Sequence, residues 1–318
     1  HLDGEFAIVL FDFNKDIAIY ITDPFKTKPL FINGLEFATY RDGVGGEKAN
    51  PNEILVKSIS TEKVISKNPV YEWDLEQRKD TYDDWIKAFK ESIRKRGKDN
   101  CFIGLSSGYD SGAIACEMLE QEIDFKSYTF KGQEDLDILD KRIKLVKEHQ
   151  YFLPDWDLED FLRNNIDDEE YTIKYKNGEK YSLLSEGGTI GVATFCKLAK
   201  EEGRKVCLSS QGADEILCDY SKFENQSELN GIFPDKLELW NNFNYGCQES
   251  YLMKEEYAGG AFNIETRYPF LDKDLVQEFL WLKPELKNKH YKAPLYKYLT
   301  THNFPFKEGV KKGFSVTK

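Results

Sequence analysis

The stretch that decides the fold is Leu105–Gly112, LSSGYDSG, set between the apolar run Cys101–Leu105 and the apolar segment Ala113–Leu119. A short apolar run, a Ser/Gly turn and an apolar helical segment read as strand, loop and helix N-terminus. Ligands of parallel sheets bind beyond the carboxyl ends of strands, where such loops meet helices. Ser106, Ser107 and Gly108 can turn backbone N–H groups and hydroxyls toward an anion, and the helix from Ser111 adds its positive end. Asp110 makes sense beside a phosphate if magnesium lies between them. A plain N-cap turn is the competing reading, because Asp and Ser cap helices well. The loop is not a Walker loop, since it lacks the G-K-[ST] ending.

The same logic recurs downstream. Leu208–Glu215, LSSQGADE, follows the apolar Val206–Leu208 and precedes a short helix, with Gly212 at the turn and Asp214 at the helix start. Two Asp-bearing loops at adjacent strand ends can grip one Mg–phosphate unit from two sides. Around them, Asp124–Phe130 reads as a strand, Leu136–His149 as a helix and Gly187–Glu202 as a helix; the chain from Asp235 onward reads as mostly helical. Strands alternating with helices predict a Rossmann-like parallel sheet with flanking helices. Upstream, Trp85, Ile86, Phe89 and Ile93 recur at helical spacing between Tyr82 and Arg96.

The opening is different in character. Residues 5–13 and 17–22, split by Asn14-Lys15-Asp16, read as a hairpin. Pro29–Ile32 meets a turn at Asn33-Gly34 with Glu36–Thr39 as partner. Residues 41–52 have loop composition, and strands are expected at Ile54–Ile59 and Lys63–Ile65. This partial antiparallel β segment gives way to the α/β regime near residues 70–80. The first residue is His1, and the sheet pattern is already under way by Leu2, so the chain reads as starting inside a longer protein.

Composition narrows the function. Among 318 residues, 44 Lys plus Arg against 56 Asp plus Glu leave a net charge of −12, which argues against a phosphate-backbone binder. Aromatic residues at 14% rule out a disordered acidic tail. The six cysteines show no C-x-x-C spacing and read as buried reduced thiols, pointing to the cytoplasm. No apolar run near the start approaches the ~20 residues of a membrane span.

Two further motifs complete the pattern. Phe262–Asp272, FNIETRYPFLD, places Glu265 and Arg267 around Thr266, either a surface pair or a positioned base. Lys311-Lys312-Gly313-Phe314-Ser315 puts a Lys beside a Gly turn, which by itself reads as a solvated tail.

Taken in order, SSGYDS, SQGADE, IETRYPFLD and KKGFS resemble the synthetase domain of the asparagine synthetase family, an ATP pyrophosphatase-type α/β fold. The opening LDGEFAIVLFD…TDPFKTKPLF is similar to the end of that family's Ntn-type glutaminase domain. The resemblance implies residues 1–75 as the last part of a glutaminase-like domain and 76–318 as an ATP-dependent synthetase domain. It implies that Leu105, Ser106, Ser107, Gly108, Tyr109, Asp110 and Ser111 hold the β- and γ-phosphates of ATP, with Gly212 in the second loop. Asp110 and Asp214 would carry Mg2+. Glu265 would help deprotonate the attacking ammonia, Lys311 would stabilise charge on pyrophosphate and carbonyl, and Lys292 of YKAP would be a further phosphate-side lysine. Adenine would lie near Ser127–Phe130, with Phe130 as its packing partner.

The activity implied is an AMP- and pyrophosphate-forming amide ligase. Its substrates would be a small amino-acid-like carboxylate and ammonia or an amine, the ammonia coming from a glutaminase domain upstream or in trans; a homodimer is compatible with this. The sequence departs from the family at Ser107, at Gly112, at Gln211, where asparagine-making members carry Glu, and at Leu217-Cys218-Asp219-Tyr220. No Cys precedes Cys101, so the glutaminase nucleophile is not in this stretch. The departures keep open an intramolecular amide former of the β-lactam synthetase or lasso-cyclase kind, and a nucleotide-binding module without turnover.

Overall fold

The computed structural model describes residues 2–97, 100–130, 132, 134–165, 172–174, 180–182, 184, 187–219, 229 and 231–311. Tyr220, Lys312, Gly313, Phe314 and Ser315 of the motifs above lie outside the described residues.

The amino-terminal segment is antiparallel, as its alternation predicts. Strands β1 (Ala7–Asp12) and β2 (Ile17–Thr22) form the expected hairpin, with Asp12 opposite Ile17. Strand β3 (Phe31–Asn33) turns at Gly34 into β4 (Glu36–Ala38). The stretch read as loop contains a short strand, β5 (Glu47–Lys48), paired with β3. Strands β6 (Glu53–Ser58) and β7 (Val64–Pro69) complete a four-stranded sheet of order β1-β2-β6-β7.

The α/β regime starts with α1 (Asp83–Arg96), whose Trp85, Phe89 and Ile93 are buried at the spacing the sequence shows. It continues through β8 (Cys101–Gly104), α2 (Tyr109–Glu120), β9 (Phe125–Thr129), α3 (Leu136–Ile143), β10 (Glu148–Tyr151) and α4 (Leu158–Asn165). A small hairpin, β11 (Thr172–Lys174) with β12 (Lys180–Ser182), precedes α5 (Gly187–Glu201), β13 (Val206–Leu208) and α6 (Ala213–Ile216). The chain then forms α7 (Cys247–Gly260), β14 (Glu265–Arg267), α8 (Lys273–Trp281), α9 (Pro284–Lys287) and α10 (Ala293–Thr301).

Five strands make one sheet in the order β10-β9-β8-β13-β14, every pair parallel. The expected parallel sheet with flanking helices is therefore present. Successive residues of a strand face opposite sides, and the burial follows. Cys101, Ile103, Val206 and Leu208 join one core with Phe89, Ile114 and Leu299. Phe102, Cys207 and Tyr128 join the other with Ile190, Phe195 and Tyr257. Both faces are covered, as parallel sheets require. All six cysteines are buried and free. Among the described residues no helix is long and apolar enough to cross a membrane.

Two expectations need correction. The helix read as Leu136–His149 stops at Ile143, and Glu148–Tyr151 instead adds an edge strand alongside β9. Its apolar spacing at Leu136, Leu139, Ile143 and Val146 is helical, but the backbone bonds offered by the open edge of β9 capture the polar residues that follow. Second, Glu265–Arg267 contributes a strand, β14, to a tail read as mostly helical.

Candidate active site

The loops after β8 and β13 leave neighbouring strands at the same carboxyl edge of the sheet, because those strands are paired and parallel. After β8, Leu105 donates its N–H to Tyr128 O at 2.8 Å, so the loop starts fixed to β9. The hydroxyls of Ser106 and Ser111 lie 2.7 Å apart, and Gly108 N–H donates to Ser106 Oγ at 3.1 Å. Helix α2 starts at Tyr109, two residues earlier than expected, so Asp110 lies in its first turn. Ser107, which departs from the family's glycine, is not among the residues with positive φ, and Gly108 has φ −71°. The substitution therefore carries no backbone strain. The N–H of Ser107 donates to Glu134 Oε2 at 2.6 Å, and its hydroxyl donates to the same oxygen. A carboxylate thus sits on the loop's N–H in the manner of an anion.

The second loop depends on one glycine. Gly212 has φ +93°, and a Cβ there would come within 2.5 Å of the Leu271 side chain. Only glycine meets both conditions. The turn delivers Asp214 and Glu215 into the first turn of α6.

Between the loops stands Lys292, whose side chain is only 4% exposed. Its Nζ donates to the two carboxylate oxygens of Asp110 at 2.8 and 2.7 Å and also to Asp214. Asp219 Oδ2 lies 3.6 Å away on a further side. Lys292 holds φ 46°, ψ 53° ahead of α10, a left-handed conformation uncommon for a residue with a side chain. Cys218, immediately before Asp219, also has a positive φ of 56°. Lys311 closes the outer side, 2.8 Å from Asp219 Oδ2 and 3.7 Å from Asp214 Oδ2. Tyr291 donates its hydroxyl to Asp219 at 2.7 Å.

Three carboxylates around two ammonium groups share charge unequally. Burial, with the neighbouring Asp214 charge, pushes Asp110 up to about 6 despite Lys292. Burial acts on Asp214 too, but Lys292 and Lys311 together hold it well below the usual carboxylate range. Burial raises Asp219. Burial and the charge of Asp214 push Glu215 up to about 8. Burial opposes the charge on Lys292, and Asp110 and Asp214 overcome it, so its proton is held far more tightly than usual. Asp110 and Asp214 offer oxygen donors only, the set suited to a magnesium ion that keeps waters and phosphate oxygens as its remaining ligands. Among the described residues no group of three or more His, Cys, Asp or Glu is placed to hold a metal alone.

The fold thus brings together Leu105–Ser111, Asp110, Gly212, Asp214, Lys292 and Lys311. Phe130 follows the carboxyl end of β9, its ring 6.3 Å from Phe152. Glu265 is not brought to this cluster. In β14 it lies opposite Val206, the first residue of β13, at the amino edge of the sheet. There it accepts from Arg267 Nε at 2.7 Å, and its side chain is 55% exposed. The hydrogen bond from Arg267 holds its carboxyl below the usual value. Of its two sequence readings, the geometry is that of the surface pair.

Asp219, Tyr291 and Glu134 join the cluster although no motif marks them as site residues. Asp219 stands five residues after Asp214 and Tyr291 directly before Lys292, so adjacency was the available signal. Glu134 had none.

This is an α/β protein with two acidic loops and a buried lysine at the carboxyl edge of a parallel sheet. Comparison with known proteins shows what it is similar to. The chain is 27% identical over 331 residues to a putative glutamine-hydrolysing asparagine synthetase of Methanocaldococcus jannaschii, covering 90% of this chain and 57% of the relative. It is 25% identical to asparagine synthetase 2 of Arabidopsis thaliana and 22% to the probable enzyme of Schizosaccharomyces pombe, again over 90% of this chain. The chain is similar in sequence to these asparagine synthetases, and it spans a little over half their length. No protein-family model matches it. Among solved structures, an NMN synthetase from Francisella tularensis gives a loose likeness, with a TM-score of 0.30 and 10% identity over 72% of this chain and 98% of that one.

Proposed function

We propose that residues 76–318 are the synthetase domain of an ATP-dependent, AMP-forming amide ligase. The observation that carries this reading is the convergence of Asp110 and Asp214, from two loops of one sheet edge, on the single ammonium of Lys292. A carboxylate oxygen of the substrate attacks the α-phosphorus of ATP. The bond from that phosphorus to the bridging oxygen breaks, and pyrophosphate leaves with the electron pair. The nitrogen of ammonia or an amine then attacks the acyl carbon, the bond to AMP breaks and the nitrogen gives up a proton.

In this scheme the loop Leu105–Ser111 receives the β- and γ-phosphates on its N–H groups and hydroxyls. Asp110 and Asp214 hold magnesium, which when bound offsets phosphate charge. Lys292 and Lys311 neutralise the departing pyrophosphate, stabilisation that acts where charge develops. Phe130 packs against adenine. Glu265 has no part, given its place at the opposite edge. Residues 1–75 are the end of a glutaminase-like domain, which would supply ammonia.

The test is AMP and pyrophosphate formation by the full chain with Mg–ATP, ammonium and a panel of amino acids. Carboxylate-dependent AMP supports the reading, and its absence from folded, magnesium-supplied protein refutes it. One observation favours a second acceptor class. Gln211, an amide where asparagine-making members carry Glu, donates to Glu215 Oε1 at 3.1 Å, so this position itself presents no charge to an acceptor. A substrate carrying its own amine would close on itself, and the product's mass separates the two.

A further inference from the structure

Arg142, on α3, is fully buried, and nothing in the motifs pointed to it. Its Nη1 donates to the carbonyls of Ser106 and Gly108, the latter at 2.7 Å, and its Nε donates to Pro305 O at 2.8 Å. Among the described residues its Nη2 has no hydrogen-bond partner. The guanidinium lies against Gly112, where a Cβ would stand 2.5 Å from its Cζ. A side chain at position 112 and an arginine at 142 therefore cannot coexist in this arrangement. Gly112 is also where the chain departs from the family's serine.

A peptide unit is planar, with its C=O and N–H on opposite sides. Fixing the carbonyl of Ser106 therefore fixes the direction of the Ser107 N–H. That N–H already carries an anionic group, the Glu134 carboxylate, at 2.6 Å. Fixing the carbonyl of Gly108 sets the N–H of Tyr109 in the same way. We propose that Arg142 is the positioning residue of the phosphate loop, holding its carbonyls from behind so that its N–H groups face the anion. The role rests on the ATP-binding reading above.

The same side chain ties in the segment that carries Lys311. Through Pro305 it anchors the stretch in which Lys307 reaches Asp135 at 3.2 Å and Gly309 N–H donates to Tyr109 Oη at 3.1 Å. Burial lowers Arg142 to about 10, so it remains cationic at neutral pH and adds a fixed positive charge beneath the loop. A lysine keeps the charge but lacks the planar fork that reaches several acceptors.

The experiment uses the full chain as wild type, Arg142→Lys, Arg142→Met, Gly112→Ser and the double variant Gly112→Ser/Arg142→Met. Mg–ATP and Mg–pyrophosphate affinities, melting temperature and amide exchange at residues 105–109 are measured on each. Arg142→Lys is expected to bind both ligands at least tenfold more weakly, with faster exchange at the loop. Gly112→Ser is expected to melt lower, and Arg142→Met in the same chain to restore much of the loss by vacating the space. Affinities of both Arg142 variants within twofold of wild type would overturn the positioning role. A double variant no more stable than Gly112→Ser would overturn the steric coupling of positions 112 and 142. Wild type that binds neither ligand would refute the ATP reading and the role that depends on it, while the Gly112–Arg142 coupling would still be decided by melting temperature.

Discussion

The ammonium of Lys292 is bound to both carboxylate oxygens of Asp110, at 2.8 and 2.7 Å, although the two residues are 182 positions apart. Lys292 also reaches Asp214, so one buried cation holds two loops of the sheet edge together. Removing one partner of a buried pair costs about 3–5 kcal/mol, because the other charge is left uncompensated. Lys292→Met is therefore expected to lower the melting temperature sharply in the absence of ligand, and added Mg2+ to recover part of the loss by pairing the carboxylates. An unchanged melting temperature would show that the cluster is not bound this way.

Asp110→Asn keeps the shape of the side chain and removes its charge. Removing one preorganised electrostatic group from such a site typically costs 10²–10³ in rate, about 2.7–4 kcal/mol. AMP formation at saturating Mg–ATP should fall by at least that factor while the far-UV spectrum stays the same. Retention of half the wild-type rate would remove Asp110 from the metal site.

Glu134 occupies an N–H of the phosphate loop with its own carboxylate. An incoming phosphate must displace it, and a charged hydrogen bond is worth about 1.5–3 kcal/mol. Glu134→Ala is expected to bind Mg–ATP about tenfold more tightly by calorimetry. Weaker binding would mean that Glu134 supports the loop rather than competing for it.

Glu215 gives a pH test with a defined sign. Burial and the Asp214 charge put its folded value at about 8, against 4.5 for the free group. Between those values the folded chain holds a proton that the unfolded chain has released, so this group's contribution to stability falls as pH rises from about 4.5 to 8. The limit is about 1.4 kcal/mol per pH unit within that window. Glu215→Gln cannot ionise. Its melting temperature relative to wild type should therefore climb from pH 5 to pH 8.5 and then level off. A difference independent of pH would disprove the assignment.

The amino-terminal segment is held by lysines set into α7. Lys26, 3% exposed, donates to Ala49 O at 2.9 Å and pairs with Glu249. Lys28 pairs with Glu256 at 2.6 Å and donates to Thr266 O at 2.8 Å. Lys26→Met leaves Glu249 partly desolvated, with Lys48, 3.6 Å away, as its remaining ion-pair partner among the described residues. Limited proteolysis should then cut between residues 70 and 82 faster than in wild type. Equal rates would show that the clamp does not secure the segment.

Much of this arrangement could be read from local pattern. The spacing of Trp85, Phe89 and Ile93 announces α1, the alternation of Ile17–Thr22 announces β2, and a Ser/Gly turn after each of two apolar runs announces the acidic loops. The failures are of one kind. Glu148–Tyr151 joins a sheet because β9 offers it an edge, and nothing in its four polar residues shows that edge. Glu265 is excluded from the site by the register that sets it opposite Val206, a relation between segments some sixty residues apart.

By itself the sequence determined the α/β class, the antiparallel opening, the two acid-bearing loops and the resemblance they carry. Those properties depend on neighbouring residues, through turn chemistry, capping and the period of apolar side chains. Only the tertiary structure decided that Lys292 stands between Asp110 and Asp214, that Asp219 and Lys311 complete the cluster, and that Arg142 fills the space Gly112 leaves. Such distances follow from strand register and helix packing, which bring together side chains that no local pattern relates.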